Sequence, residues 1–200
     1  MKLNRFKSVS TRRGAKPLYV GGLIVLSSSK SFVSKAIKWI TKSEYSHASV
    51  LVGELYDHYF KFEAQSRGVI PYILEEKSAN MLTIIRINAP YRQIQEAINE
   101  IFELKGKRYL YENFIGFALS IAINKAFKSV NVGIKTENFM THGYWCSKLV
   151  QCYINLVLKK VLGDPDNCTP EDLNKLVKSR PDLFEVVGTK AYDSDCIVWK

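Results

Sequence analysis

The stretch His47–Gln65, HASVLVGELYDHYFKFEAQ, decides the fold. Its two ends, His47–Gly53 and Tyr59–Gln65, are rich in β-branched and aromatic residues, and the short polar link between them includes Asp57 and His58. The pattern predicts an antiparallel hairpin. Pairing about that link joins residues whose numbers sum to about 112, which sets Ser49 across from Glu63 and His47 across from Gln65. His47 and Glu63 then share a face as diagonal neighbours, roughly 7–8 Å apart at their β-carbons. A slip of one residue would put them on opposite faces.

Upstream, Leu18–Leu26 (LYVGGLIVL) suits a buried strand, Ser27–Ser31 supplies a polar break, and Phe32–Ile40 repeats apolar residues at helical spacing. Downstream, Met81–Ile87 (MLTIIRI) reads as a further strand. Pro90–Leu104 reads as a helix entered at a proline, its stripe Ile94, Ala97, Ile98, Ile101 and Leu104 ending near Gly106. The second half holds an apolar helix at Phe114–Phe127, a polar stretch at Asn131–Gly143, and a strongly apolar helix from about Tyr144 to Leu162. The N-terminal signature Thr169-Pro170-Glu171-Asp172 then opens a helix to Lys178, and Phe184–Val187 is a closing strand. With strands early and helices late, the chain is expected to be α+β, not a doubly wound α/β sheet.

The 200 residues, 46% of them hydrophobic, suffice for one domain. That domain is expected over residues 16–200, after a basic, mobile arm at residues 1–15. The basic start is not followed at once by an apolar stretch with a small-residue cleavage site, so no secretory signal is expected and the cytoplasm is the default location. Phe114–Phe127 is interrupted by Asn124 and Lys125 and is shorter than the run of about 20 residues a spanning helix needs, so no transmembrane helix is expected. A net charge of +10 favours anionic surroundings such as a bacterial wall polymer or a membrane surface. Nucleic acid is not an expected partner, because the Lys and Arg residues are scattered and no stacking-rich motif accompanies them.

A carboxylate beside an imidazole holds its tautomer and stabilises the cation formed when it accepts a proton, so Glu63 and His47 have the types of a base and its orienter. An exposed, solvated His and Glu is the plainer reading of the same spacing. Cys146 lies near the start of the helix from Tyr144, where free N–H groups and the helix dipole favour a thiolate and can face an oxyanion. It also lies on an apolar stripe with Leu149, Val150, Tyr153 and Val157, where a structural thiol is common. Cys152, Cys168 and Cys196 have no evident partner and are expected to be structural, with reduced thiols throughout. His58 and His142 are rivals for the base, His142 the more serious. Neither metal nor organic cofactor is expected.

In order, the segments GGLIVLSS, YSHASVLVG, FEAQSRGV, GKRYLY, YWCSKLV and TPEDL resemble the permuted NlpC/P60-type cysteine hydrolases of the YiiX/YebB-like group, which has poxvirus members. Lys148 follows Cys146-Ser147 where many relatives carry an acidic residue, and GKRYLY lacks the usual Asp. The resemblance covers almost the whole chain. It implies a circularly permuted papain-like fold, an antiparallel sheet packed against helices, with Cys146 as nucleophile, His47 as base and then acid, and Glu63 orienting His47. Tyr45, Tyr144 and Trp145 flank these positions and are candidates for lining a substrate pocket. The implied activity is a thiol-dependent hydrolase, a peptidase or amidase acting on a cell-wall peptide or another amide. Alternatives are a lipid acyl hydrolase or acyltransferase, for which Phe114–Phe127 would be a membrane-contacting helix, and a binding protein that keeps the fold without chemistry.

Overall fold

The computed structural model describes residues 21–55, 58–65, 67–74, 79–107, 145–191 and 197–199. The basic arm, Phe114–Phe127, His142, Tyr144 and Cys196 lie outside the described residues. Within them the chain is α+β. Seven strands, β1 (Leu23–Ser28), β2 (His47–Leu55), β3 (His58–Gln65), β4 (Gly68–Ile73), β5 (Met81–Ile87), β6 (Phe184–Lys190) and β7 (Val198–Trp199), form one antiparallel sheet in the order β4-β3-β2-β1-β5-β6-β7. Four helices accompany it: α1 (Phe32–Thr41), α2 (Tyr91–Phe102), α3 (Cys146–Leu158) and α4 (Pro170–Ser179). None of the described helices is long and apolar enough to cross a membrane.

The alternation of the strands divides the core. Ile24, Leu26, Ala48, Val50, Phe62, Ala64, Ile85 and Ile87 pack in one cluster with Leu149, Val150, Tyr153, Ile154 and Val157 of α3, with Ala97, Ile98 and Ile101 of α2, and with Leu173 and Val177 of α4. Intervening positions, including Leu23, Val25, Leu51, Leu82 and Ile84, form a second cluster. Helix α3 lies mainly over β2 and α2.

The hairpin takes the expected register, Val50 opposite Phe62 and Leu51 opposite Lys61. A bulge between Leu51 and Gly53 then shifts the pairing by one, so Leu55 faces His58 and the strands run almost to the turn. His58 therefore belongs to β3 and not to the link. The first strand starts at Leu23, just after Gly22 turns the chain with φ +87°; Leu18, where the strand was expected to begin, lies outside the described residues. A β-carbon built there would collide with Ile94 Cγ2 and lie 2.6 Å from Tyr153 Oη, and that hydroxyl donates to the Gly22 carbonyl at 2.9 Å. Only glycine fits this approach.

Helix α1 is capped by Ser31, whose hydroxyl accepts from the Ser34 N–H at 3.1 Å. Helix α4 opens with a capping box: Thr169 Oγ1 accepts from Asp172 N–H at 3.2 Å, and Thr169 N–H donates to Asp172 Oδ2 at 3.0 Å. The last strand runs beyond Val187 to Lys190 and pairs with β7.

Candidate active site

His47 opens β2, and its chain neighbour Ser46 is anchored by its backbone N–H to the Ser27 carbonyl of β1 at 3.0 Å. On the adjacent strand, Lys61, Glu63 and Gln65 alternate with the core residues Phe62 and Ala64 and so point to the opposite face. His47 Nε2 meets Glu63 Oε2 at 2.7 Å, as the register requires. That carboxylate is fully buried. Its Oε2 also receives the Lys61 ammonium at 2.6 Å, while Gln65 Nε2 donates to Oε1. Burial pushes the Glu63 carboxyl upward, but His47, and behind it Lys61, more than offset this and hold its pKa below the usual carboxylate range.

Cys146 is the first residue of α3, two residues later than the expected helix start. The preceding Trp145 is extended, and no side chain caps the helix, which leaves first-turn N–H groups available to an anion. The thiol is anchored from behind. Trp145 Nε1 donates to the Cys168 carbonyl at 3.0 Å, Ser147 Oγ donates to the same oxygen at 2.6 Å, and the Lys148 ammonium pairs with Asp166 while lying 5.2 Å from the centre of the Trp145 ring. These bonds tie the start of α3 to the segment before α4.

His47 Nε2 is committed to Glu63, and the same ring is electrostatically linked to Cys146. Burial opposes the imidazolium charge, but the Cys146 thiolate and then Glu63 outweigh that cost and raise the His47 pKa to about 9. Burial likewise opposes the thiolate, yet His47 overrides it, helped by the backbone N–H groups of Ala48 and Ser147, and the Cys146 pKa falls below its ordinary value. Cys152 and Cys168 behave oppositely: burial pushes both thiols up. Among the described cysteines, the arrangement favours a thiolate–imidazolium pair at Cys146.

Tyr45 and Trp145 do not present open surface. They are 7% and 4% exposed, and the Tyr45 hydroxyl is engaged with Thr83 Oγ1 at 2.8 Å. Lys61 and Gln65, by contrast, were not singled out in the sequence, although their spacing of two from Glu63 was the available signal. An open groove of about 480 Å³ runs along the far end of α3, lined in part by Leu104, Cys152, Leu156 and Val161, and Cys146 does not line it.

No family model matches the chain, and no curated protein matches it. Among solved structures it is similar to the metalloprotein YiiX from Escherichia coli O157:H7, with a TM-score of 0.51 and 19% identity over 90% of this chain and 96% of that one. Among the described residues no group of three or more His, Cys, Asp and Glu side chains is arranged to hold a metal ion. Glu63, the one carboxylate of the cluster, already receives an ammonium, so the residues gathered here do not fit a metal centre. The likeness shows a YiiX-like fold.

Proposed function

We propose that the protein is a thiol-dependent hydrolase of the peptidase or amidase type, with Cys146 as nucleophile. The single observation that carries this reading is the position of His47, held at Nε2 by the buried Glu63 carboxylate and linked to Cys146, the first residue of an uncapped helix. The fold likeness to YiiX supports the frame in which such a site is built.

The Cys146 thiolate attacks the substrate carbonyl, the carbon–sulfur bond forms, and the carbonyl electron pair moves to oxygen. The uncapped first turn of α3 offers N–H groups to that oxyanion. The imidazolium of His47 gives its proton to the leaving nitrogen as the carbon–nitrogen bond breaks. Neutral His47 then takes a proton from water, which attacks the thioester and releases the acid. Glu63 holds the ring in place throughout, and Lys61 keeps that buried carboxylate ionised. No step passes through a metal.

A panel of activated esters and amides tests the reading. The expected outcome is a burst of leaving group and a mass increase mapped to Cys146, both absent in Cys146→Ala. Turnover that persists in Cys146→Ala refutes it, as does acylation confined to another residue.

A second reading, hydrolysis or transfer of a lipid acyl group, uses the same thioester chemistry with an ester oxygen or a second acceptor. It is favoured by the exposed Phe32 and Trp39 of α1, the helix that precedes Tyr45 and His47 in the chain.

A further inference from the structure

The two oxygens of the Glu63 carboxylate are chemically alike but unequally engaged. Oε2 meets His47 Nε2 at 2.7 Å and the Lys61 ammonium at 2.6 Å, while Oε1 receives the side-chain amide of Gln65. The carboxylate is fully buried, so an oxygen left without a donor has no water to turn to. A carboxylate held at one oxygen alone can turn about the bond that joins it to its chain, where the torsional preference is broad. Held at both oxygens, it cannot turn without losing a hydrogen bond.

The neighbouring groups leave Oε1 to Gln65. Lys61 shares Oε2 with His47 and so does not fix the second oxygen. Ser49 lies two residues along β2 from His47, on the same face of the strand, and its buried hydroxyl has no hydrogen-bond partner. On β4 the residue paired with Glu63 is Ile70, whose side chain has nothing to donate. Glu63 and Gln65 are two apart on β3 and so leave the strand on one face. Gln65 is itself paired with Gly68, so no side chain at that position of β4 competes for its amide.

We infer that Gln65 is a positioning residue, pinning Oε1 of Glu63 so that Oε2 stays turned to His47. The inference rests on the reading of His47 as the base linked to Cys146 and deepens it, because the orientation of that base then depends on a neutral amide two positions from the carboxylate. The charged groups around the imidazole are the Cys146 thiolate at the start of α3 and, on β3, Glu63 with Lys61 behind it. Gln65 carries no charge, so its influence on the ring passes through the carboxylate it holds.

Histidine ring titration by nuclear magnetic resonance on the full chain tests this, with the His47 signal assigned by its absence from His47→Gln. In the wild type, the Cys146 thiolate and Glu63 hold the imidazolium up to about 9. Gln65→Met keeps the length of the side chain and removes the donor, and His47 should then titrate about one unit lower, the shift that loss of one hydrogen bond to an ion brings. In the Glu63→Gln background the same substitution should leave His47 where Glu63→Gln alone puts it, because no anion remains to be oriented. Gln65→Asn, whose amide is one methylene short, should shift His47 in the same direction and carries the test should the methionine variant unfold. A His47 unmoved by both substitutions overturns the inference while leaving the paired base standing. Equal shifts in the two backgrounds also overturn it, because Gln65 would then act on the packing and not through Glu63. A wild-type His47 that titrates at its ordinary 6.5 overturns the paired base and this inference with it.

Discussion

Replacing His47 by glutamine removes the imidazolium while keeping hydrogen-bonding capacity beside Cys146 and Glu63, and its effect on Cys146 can be worked out. Without that cation, the dominant influence left on the buried thiol is burial, which raises its pKa to at least the ordinary 9.0. At pH 6, three pH units lower, about one thiol in a thousand is then ionised. In the intact protein His47 lowers the Cys146 pKa, so a larger share of the thiol is ionised there, as a less basic thiolate. With a nucleophilicity slope of about 0.4–0.5, lower basicity gives back roughly half of the rate gained through ionisation. The expected net loss is about tenfold in the rate of Cys146 alkylation by iodoacetamide at pH 6, shrinking as the variant's thiol ionises and reversing at about pH 7–8, because the variant's thiolate is the more basic. Timed labelling with mass-spectrometric site assignment reads the rate at each pH, with Cys152 and Cys168 as internal references whose thiols are pushed up. Superimposable pH profiles for the two proteins, both rising only near 9, would refute the ion pair and with it the assignment of His47 as base.

Three further outcomes follow from the same geometry. Glu63→Gln removes the charge that helps raise His47 to about 9, so the alkaline limb of turnover, where the imidazolium loses its proton, should move to lower pH. An unmoved limb would mean that Glu63 does not act through His47. Lys61→Met keeps the apolar stem but leaves the buried carboxylate with less compensation, for an expected loss of about 2–4 kcal/mol in urea unfolding at neutral pH. A carboxyl with a depressed pKa stabilises the fold above its unfolded value of 4.5 and loses that stabilisation as pH falls through its folded value, so the deficit of the variant should shrink in acid. A deficit constant with pH would dissociate Lys61 from the ionisation of Glu63. Gly22→Ala adds a β-carbon at positive φ against Ile94 and Tyr153 and should cost about 3 kcal/mol by chemical denaturation, whereas a neutral result would mean that this approach is not tight.

The hairpin was legible because its two runs are long, alternate, and flank a polar link, which together fix register. The same signals fail at β4. Its sequence GVIPYI contains Pro71, which demotes a strand in any reading by pattern, yet proline is tolerated at a sheet edge, and β4 is the edge. Strand β7 is two residues long and carries no pattern at all. Lys61 escaped notice because alternation shows that it shares a face with Glu63 but not that the face is buried. Burial is what turns Lys61 from a solvated charge into the counter-ion of Glu63. Tyr45 and Trp145 were placed beside the chemistry by position, but whether an aromatic ring lines a pocket or fills the core depends on packing that only three dimensions supply.

For Cys146 the sequence offered two readings, a thiol on the apolar stripe of a core helix or a thiolate at a helix start, and the fold meets the geometric requirement of both: Cys146 is buried and is the first residue of α3. Leu149, Val150, Tyr153 and Val157 are fully buried and press α3 against the face of the sheet that holds Ala48 and Val50. The same packing sets where the helix begins, and Trp145 and Ser147 fix that start by sharing the Cys168 carbonyl. Cys146 is buried because the stripe is, and it meets His47 because the helix cannot slide along β2 without emptying the core, where loss of a large side chain costs about 2–5 kcal/mol. Burial alone would make it the most inert kind of thiol, as it does at Cys168. What reverses the sign is one imidazole, delivered by the register of a hairpin and kept cationic by a carboxylate that has its own lysine. The lowered pKa of Cys146 is therefore a property of the core packing and the sheet register together, and a substitution in either should change it without touching the residue.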